Sequence, residues 1–594
     1  MTTISTKKTI KGGEFLLEES IYNGVFTPEE YSEEQLMFRS SMRDFLNKEI
    51  EPIKERFDSK EGTLLAPQLL EKMGELGFHG IGVPEIYGGL NCDIKTEMAF
   101  GEIASDSFAF SQSIGVHTGL GVYPVLLYGN DTQKEKYLND IVTAKIKCSY
   151  CLTEPSAGSD ANAGKSKAIY SNDKKHFILN GQKMWITNSG FADVFFVFCK
   201  IEDDKNLSCL IVHKEWGVKL GSEENKLGIH GSSTRQVFFE NIKVPVENLL
   251  GERNKGFKIA MNALNAGRIK IGVANTAIGK RALKLGINYA NEREQFGSKI
   301  SEFGAIKEKI CTMATRLYGL ESSWNRVAHQ IDESYDEMIE DGENQIEAKI
   351  KSVAEYAMEC AIIKVYGSET ESYVVDESLQ IHGGMGFSAE SEISVHYRNV
   401  RGNRIYEGTN EINRILIPTM LFRKGMKGEL PLMEKTMALF NDLMSGVLSS
   451  SKQSDVPFET ENNFLSVAKK ATLLVAGIAV QQFQQNIKNE QEVLMHLSDM
   501  ITPIYIFESA LLRAQKHQAK SEIYKQMTTI LMYETSEQLS NHSKEVIFAS
   551  SKENQALPNF KSINRLFQLP FCNLKEMRRK VANHFIEKNQ YQLI

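Results

Sequence analysis

The stretch Tyr150-Cys-Leu-Thr153-Glu-Pro155-Ser-Ala-Gly158-Ser159-Asp160 marks where the chain passes from helical to β patterning, and the fold follows from reading it. Tyr150 to Leu152 continue an apolar strand. Thr153 ends it, Pro155 blocks its continuation, and Gly158 frees the backbone to fold closely round a neighbour. A loop of this make-up aims several N–H groups and two hydroxyls at an anion or a polar ring edge. The plainer alternative is a β-turn with ordinary capping.

Upstream, from about Thr27 to Lys147, the reading is helical. Ser32-Glu-Glu-Gln35 has the form of a capping box, and Leu36, Phe38, Met42, Phe45 and Leu46 then recur at helical spacing. Downstream, to about Val246, apolar segments such as Phe177-Ile-Leu179, Val194-Phe-Phe-Val-Phe198, Cys209-Leu-Ile-Val212 and Val237-Phe-Phe239 alternate with Gly, Asn and Asp turns. Asn180-Gly181 predicts a hairpin there. Helical patterning returns from about Gly256 to Gly425, where the glycine reads as a helix stop. A short helical piece after Pro431 and a polar stretch, Ser449 to Asn463, precede further helical sequence to Ile594. No internal repeat is found. The expected fold class is α+β, mostly α. It comprises an N-terminal helical domain (27–147), a middle β-barrel or sandwich domain (148–246), a C-terminal helical bundle (247–425) and an additional helical domain (430–594).

At 594 residues the chain exceeds a single hydrophobic core, and 42% hydrophobic with 24% charged residues is an ordinary globular composition. A net charge of -7 argues against a protein built mainly to bind nucleic acid. From Pro431 onward 18 Lys and Arg face 16 Asp and Glu, so no basic face is expected there. Arg578-Arg579-Lys580 reads first as a solvated helix face, and second as a dock for a partner or a peripheral membrane contact. No run of eighteen apolar residues occurs, and Ala471 to Val480 reads as part of a buried helix. The N-terminus lacks both a secretory apolar core and arginine, so a bacterial cytoplasmic location is expected ahead of the mitochondrial matrix. The 8 cysteines suggest free thiols in a reducing compartment. Cys148-Ser-Tyr-Cys151 has the spacing of a redox pair but lies in a strand-like run, so no redox role is expected. No metal site is expected either.

Four further segments carry candidate chemistry. In Met184-Trp185-Ile186-Thr187, Trp185 and Thr187 share a strand face and can offer a flat apolar surface and a hydroxyl to one ligand. A core tryptophan beside a turn is the plainer reading. Asn291-Glu-Arg293-Glu-Gln295-Phe296-Gly297 sits where a helical pattern stops. Gln380-Ile-His-Gly383-Gly384-Met-Gly386-Phe387 suits close backbone approach to a phosphate. Arg404-Ile-Tyr-Glu407-Gly408-Thr409-Asn-Glu411-Ile-Asn-Arg414 follows, with an acid that read alone is a solvated turn residue.

In this order the segments resemble the acyl-CoA dehydrogenase family, continuously from about residue 30 to 420. The closest likeness is to its very-long-chain branch, whose members carry a C-terminal helical extension; Leu264-Asn265-Ala-Gly267-Arg268 also looks like that branch. The resemblance implies an FAD enzyme. Tyr150, Leu152, Thr153, Gly158 and Ser159 would form its flavin loop, and Trp185, Ile186 and Thr187 its flavin-stacking strand. Arg293, Gln295 and Phe296, with Phe303, would reach the flavin pyrophosphate of a neighbouring subunit. Gln380, Gly383 and Gly384 would make a second such contact, and Thr409 and Glu411 would lie at the cofactor. Glu407 falls on the family's catalytic base. Ser159, Asn265, Arg268, Gly408 and Arg414 would face the acyl-CoA. One departure is Tyr397-Arg398-Asn399, where relatives commonly carry an Arg-Asp pair.

The implied reaction is α,β-dehydrogenation of an acyl-CoA, expected to be long-chain, to the trans-2-enoyl-CoA in fatty acid β-oxidation. Electrons would pass to an electron-transfer flavoprotein, and FAD contacts from two subunits imply a homo-oligomer, a dimer first. A carboxylate can take the α-proton only where the developing enolate is stabilised, here by the Glu407 N–H and a ribityl hydroxyl of the FAD. Desolvation of the base should raise its pKa. Pocket depth is expected to depend on Gly119 to Pro124. The alternatives are an acyl-CoA oxidase of the same fold, and a non-catalytic or DNA-binding flavoprotein relative.

Overall fold

A computed structural model describes residues 9–445 and 456–593. The extreme N-terminus read above and the first part of the polar stretch after Ser449 lie outside the described residues. The order is α, β, α and a further α region.

Six helices form the first unit: α1 (Glu33–Phe45), α2 (Gly62–Glu75), α3 (Ile94–Ala104), α4 (Phe110–Gly115), α5 (Val122–Tyr128) and α6 (Asp131–Val142). The capping box forms as read: the Ser32 side chain accepts from the Gln35 N–H, and the Gln35 side chain accepts from the Ser32 N–H. Met42, Phe45 and Leu46 turn inward, whereas Leu36 remains exposed. Between α4 and α5 one wide π turn, Val116–Gly121, breaks the helical register.

The sheet unit holds β1 (Cys148–Cys151), β2 (Lys167–Tyr170), β3 (His176–Thr187), β4 (Val194–Ile201), β5 (Ser208–His213), β6 (Lys219–Glu223), β7 (Thr234–Pro245) and β8 (Leu249–Leu250). Their order is β6-β7-β3-β2-β4-β5-β8, with β1 parallel to β4. The apolar run of β4 has a clear cause. Val194, Phe196 and Phe198 pack toward the N-terminal helices, while Phe195, Val197 and Cys199 pack into the sheet's own core. A strand buried on both faces loses its polar alternation. Asn180-Gly181 does not make a hairpin: β3 runs straight through it, and the pair absorbs a register shift against β7. A Cβ at Gly181 would sit 2.3 Å from Ser166 Oγ, so the glycine serves a close strand approach. Cys148 and Cys151 are buried thiols in β1, pushed up by that burial, and form no disulfide.

Long helices follow: α7 (Gly256–Glu292), α8 (Gly304–Glu340), α9 (Gln345–Glu355), α10 (Ala357–His382), α11 (Gly384–Phe387), α12 (Glu392–Val400) and α13 (Asn410–Met426). A two-stranded ribbon, β9 (Glu294–Gln295) with β10 (Ser298–Lys299), projects between α7 and α8. Gly425 lies within the last turn of α13, and the left-handed stop is Gly428, with φ 72°. The extension adds α14 (Leu432–Met444), α15 (Glu459–Phe483), α16 (Gln491–His517), α17 (Glu522–Ser550), α18 (Glu553–Asn564) and α19 (Leu574–Lys588). Its apolar residues join those of α7, α8, α10 and α13 in one continuous core. Among the described helices α15 alone is long and apolar enough to cross a membrane, yet over half of that window is buried in the bundle.

Two features tie the extension to the rest. A chain of buried ion pairs runs Arg39–Glu102–Lys280–Glu321–Arg513–Glu29, crossing α1, α3, α7, α8 and α16 to reach the N-terminal arm. The arm, residues 9–30, lies over late sequence. Gly13 N–H donates to Glu359 Oε1 at 2.7 Å, Lys516 Nζ to Val25 O at 2.6 Å, and Lys469 Nζ to Glu18 O at 2.9 Å.

Candidate active site

A cavity of about 920 Å³ opens where the three units meet, at the upper end of what small-molecule sites occupy. It is walled on the sheet side by Tyr150, Leu152, Thr153, Gly158, Ser159, Trp185, Ile186 and Thr187, and on the helical side by Leu264, Gly267, Arg268, Glu407, Gly408 and Thr409. Segments more than 250 residues apart in sequence therefore share one space. Its far wall is apolar, formed by Phe78, Met98, Phe100, Ile114 and Val122 from the N-terminal helices.

The base loop is built under strain. Glu407 has φ 57° and Gly408 φ 79°, two successive left-handed residues between α12 and α13. A non-glycine residue held there costs about 1–3 kcal/mol and needs its surroundings to fix it. Lys364 Nζ donates to Gly408 O at 2.7 Å and to Asn410 Oδ1 at 2.8 Å, and Asn413 Nδ2 donates to Gly408 O at 2.8 Å. Thr409 caps α13 by accepting from the Ile412 N–H. The carbonyl side of the turn is thus tied down, and among the described residues the Glu407 N–H has no acceptor.

Glu407 Oε2 is sealed from solvent and has no hydrogen-bond partner. Desolvation raises its carboxyl to about 7, even though the nearby Arg268 and Lys364 cations pull it down. Arg268 is buried, its Nη1 donating to Asn265 Oδ1 at 2.8 Å and its Nε left unpartnered. A Cβ at Gly267 would stand 3.3 Å from Glu407 Oε2, so α7 abuts the base at its glycine. Burial lowers the Lys364 amine to about 8, against the attraction of Glu407. Lys364→Met should therefore push the Glu407 carboxyl higher still. The acid limb of a kcat/KM–pH profile should move to higher pH, which initial rates from pH 5 to 9 would show.

The sheet side is strained as well. Trp185 has φ 59° and is 52% exposed, standing in the second register shift of β3, between Lys183 and Ile186. The bulge takes the indole out of the pairing and leaves its surface open at the cavity wall. Behind it Lys183 Nζ is fully buried and donates to Glu154 Oε1 at 2.6 Å, Phe198 O at 2.6 Å and Leu152 O at 3.1 Å. Glu154 Oε2 accepts from the Lys165 N–H at 2.6 Å. This pair pins the Thr153–Ser159 loop to the sheet. Tyr150 Oη is buried without a partner. An open indole, the hydroxyls of Thr153, Ser159 and Thr187 and an orphaned phenol on one cavity wall fit a flat, polar-edged ring system.

Not every expected residue lies here. Arg293, Gln295, Phe296, Phe303, Gln380, Gly383 and Gly384 stand outside the cavity, gathered where α7 and α10 end; Tyr289 stacks on His382 at 4.4 Å there. Phe296 is 97% and Phe387 89% exposed, aromatic rings bare in a single chain. Glu411 is exposed in the first turn of α13, and Asn265 reaches the cavity only through Arg268. Arg414 does not line the cavity. Its guanidinium is committed to Glu369, through both terminal nitrogens at 2.8 Å, and to Asp499 at 2.7 Å. At the departure, Asn399 Oδ1 accepts from the Ile229 N–H at 2.6 Å, and Arg398 pairs with Asp58 at 2.7 Å. The partner of Arg398 is thus a distant aspartate.

Sequence reading missed Lys364, the Lys183–Glu154 pair and the group behind the base. In that group Asn403 donates to Glu371 and Asn275 and accepts from Tyr406. Burial raises the Glu371 carboxyl to about 8, so it is protonated at neutral pH. Lys364, inside the apolar run Ala361-Ile-Ile-Lys-Val365, was an available signal, whereas Glu371 stands among Ser368, Glu369, Thr370 and Ser372 and gave none.

Family models cover most of the chain. The N-terminal, middle and C-terminal domain models of acyl-CoA dehydrogenase match residues 32–145, 149–242 and 254–421, and a further acyl-CoA dehydrogenase C-terminal domain model matches 467–562. A probable acyl-CoA dehydrogenase of Bacillus subtilis is 39% identical over 98% of both chains. The rat mitochondrial very long-chain specific acyl-CoA dehydrogenase is 35% identical over 67% of this chain and 60% of its own length. Subunit CarC of the caffeyl-CoA reductase-Etf complex of Acetobacterium woodii is 35% identical over 66% of this chain and all of its own. Among solved structures, an acyl-CoA dehydrogenase complexed with FAD from Bacillus anthracis superposes with a TM-score of 0.93 at 39% identity, over 98% of this chain and 100% of that one.

Proposed function

The chain belongs to the acyl-CoA dehydrogenase family of FAD-dependent oxidoreductases, and from that premise we propose that it desaturates long-chain acyl-CoA thioesters at Cα–Cβ, with Glu407 as the base. The observation that carries this reading is Glu407, which lines a cavity shared with Trp185 and Thr187 and whose Oε2 is buried and, among the described residues, unpartnered. When bound, FAD supplies the acceptor for the β-hydride. Everything else is the chain's own work. Trp185 offers the stacking face and Thr187 a hydroxyl at the ring edge. Glu407 takes the α-proton, while its own N–H, without an acceptor among the described residues, is available to the thioester oxygen as charge develops there. Arg268, buried against the base, holds a positive charge beside it in every protonation state.

A base raised to about 7 sets the pH response. Only the carboxylate form can accept the α-proton. kcat/KM should therefore fall about tenfold per unit as pH drops below 7, and level off above it. A profile flat from pH 5 to 8 would remove this role for Glu407.

Chain length is supported by open space along the cavity wall. Gly101 and Gly115 line it on α3 and α4, and a Cβ at either would enter open space. Filling that space with Gly115→Leu should leave a four-carbon substrate largely unaffected and depress kcat/KM for sixteen carbons. The deciding measurement is anaerobic bleaching of the flavoprotein by acyl-CoAs of four to twenty carbons. It should be strongest at the long end; no bleaching at any length would reject the activity.

An electron-transfer flavoprotein as acceptor is supported by the relative named as part of an Etf complex. Reduction of such a flavoprotein without peroxide formation is the expected result. Assembly into a homodimer is supported by the bare Phe296 and Phe387, apolar surface that a second copy would cover.

A further inference from the structure

We propose that His496, Asp499 and His542, in the helical extension, form a site for one divalent cation of the zinc class. His496 and Asp499 are one turn apart on the same face of α16, and His542 meets them from α17. One ligand atom from each lies within 4.8 Å of the others, and the two histidine Nδ1 atoms are 3.0 Å apart. A first-row dication holds nitrogen and oxygen ligands at about 2.0–2.2 Å, so tetrahedral ligands stand about 3.3–3.6 Å from one another. The imidazole pair stands a few tenths of an ångström inside that spacing and the widest pair no more than about 1 Å outside it. Two imidazoles and one carboxylate suit zinc, cobalt or nickel and are poor for magnesium or calcium. Three protein ligands, each half-buried, leave one position for water.

The surroundings admit the charge. Arg414 donates to Asp499 Oδ1 at 2.7 Å, the outer-shell hydrogen bond that metal-binding carboxylates commonly carry. Arg414 is itself neutralised by its bidentate contact with Glu369. Arg404 reaches Glu369 at 4.0 Å, and Glu545 adds a negative charge near His542. Asp499, Glu369 and Glu545 thus stand against the Arg414 and Arg404 guanidinium groups around the two imidazoles. The plain alternative is a hydrogen bond between two neutral imidazoles, Nδ1–H to Nδ1, with no affinity for metal.

A cation here would staple α16 to α17 and brace Arg414 on α13, the helix that follows the Glu407 loop. The site stands apart from the cavity, and the proposal does not depend on what the cavity binds.

The test uses the full-length flavoprotein without a histidine tag, treated with EDTA, dialysed, and equilibrated with Zn²⁺. The metal is then measured by mass spectrometry and the melting temperature recorded. About one zinc per chain is expected, with a rise in Tm. His542→Ala and, separately, Asp499→Asn should each weaken zinc binding by at least about tenfold and abolish the Tm rise, with flavin content unchanged. Should His542→Ala fold poorly, His496→Gln reads out the same loss. Substoichiometric zinc in the wild type, or stoichiometric zinc that survives these substitutions, overturns the site.

Discussion

Glu407→Gln will give a yellow, folded protein whose dehydrogenation is slower by about 10²–10⁴-fold or more, the usual contribution of a positioned general base. The amide keeps the size of the carboxyl and cannot accept the α-proton. Its backbone φ of 57° is already imposed by Lys364 and Asn413 on the following carbonyl, so the turn should persist. Since Oε2 makes no hydrogen bond among the described residues, the substitution breaks none, and it gives up only the attraction of Arg268 and Lys364. The loss will therefore sit in the rate of flavin reduction, while substrate affinity and flavin content stay near wild type. Stopped-flow bleaching against a saturating long-chain acyl-CoA measures it. Normal turnover by the variant would mean that another group removes the proton.

Arg513→Met will produce the largest loss of stability, about 3–5 kcal/mol, because it strands buried Glu29 without its guanidinium and leaves Glu321 to Lys280 alone. Arg513 is 2% exposed and is gripped by Glu29 at 2.6 Å and Glu321 at 2.8 Å. Burial alone would raise both carboxyls. The Arg513 guanidinium holds Glu29 down at about 2, and Lys280 together with Arg513 does the same for Glu321. Folded values below the unfolded ones mean stability that is complete above the ordinary carboxylate range. It is lost as pH falls from about 4.5 toward 2. The variant should lose that acid limb along with its urea midpoint. Adding Glu29→Gln should restore part of the loss, since it removes a stranded charge. An unchanged midpoint in the single variant would show that the ion-pair chain contributes nothing to holding the extension.

The parts of the molecule that could be read from sequence were those in which one residue type has one physical use. The helix-to-strand change at Tyr150, the capping box at Ser32 and the order of the motifs around Glu407 belong to that class. Asn180-Gly181 misled because a glycine needed for close approach to Ser166 looks the same as one needed for a turn. Trp185 and Thr187 were placed on one strand face by simple alternation. The structure instead lifts Trp185 out through a bulge that no local pattern announces. Lys364, Lys183 and Glu371 are ionisable residues buried through partners 15 to 46 positions away, which no local pattern reveals. Arg414 was read toward the substrate from its place in the family resemblance, but Glu369 on α10 and Asp499 on α16 of the extension hold it.

The N-terminal arm sets an order of events in synthesis. Val25 and Thr27 emerge early, yet Lys516 and His517, which hold them, are made some 490 residues later. At about 5–20 residues per second the arm waits roughly 25–100 seconds for its binding surface to exist. During that interval Phe15, buried in the finished molecule edge-on against Tyr505 of α16, lacks that cover. Until then the arm is exposed to chaperones and proteases. Arm docking is the step that can be completed only once the ribosome has released α16, a late latch on the whole fold.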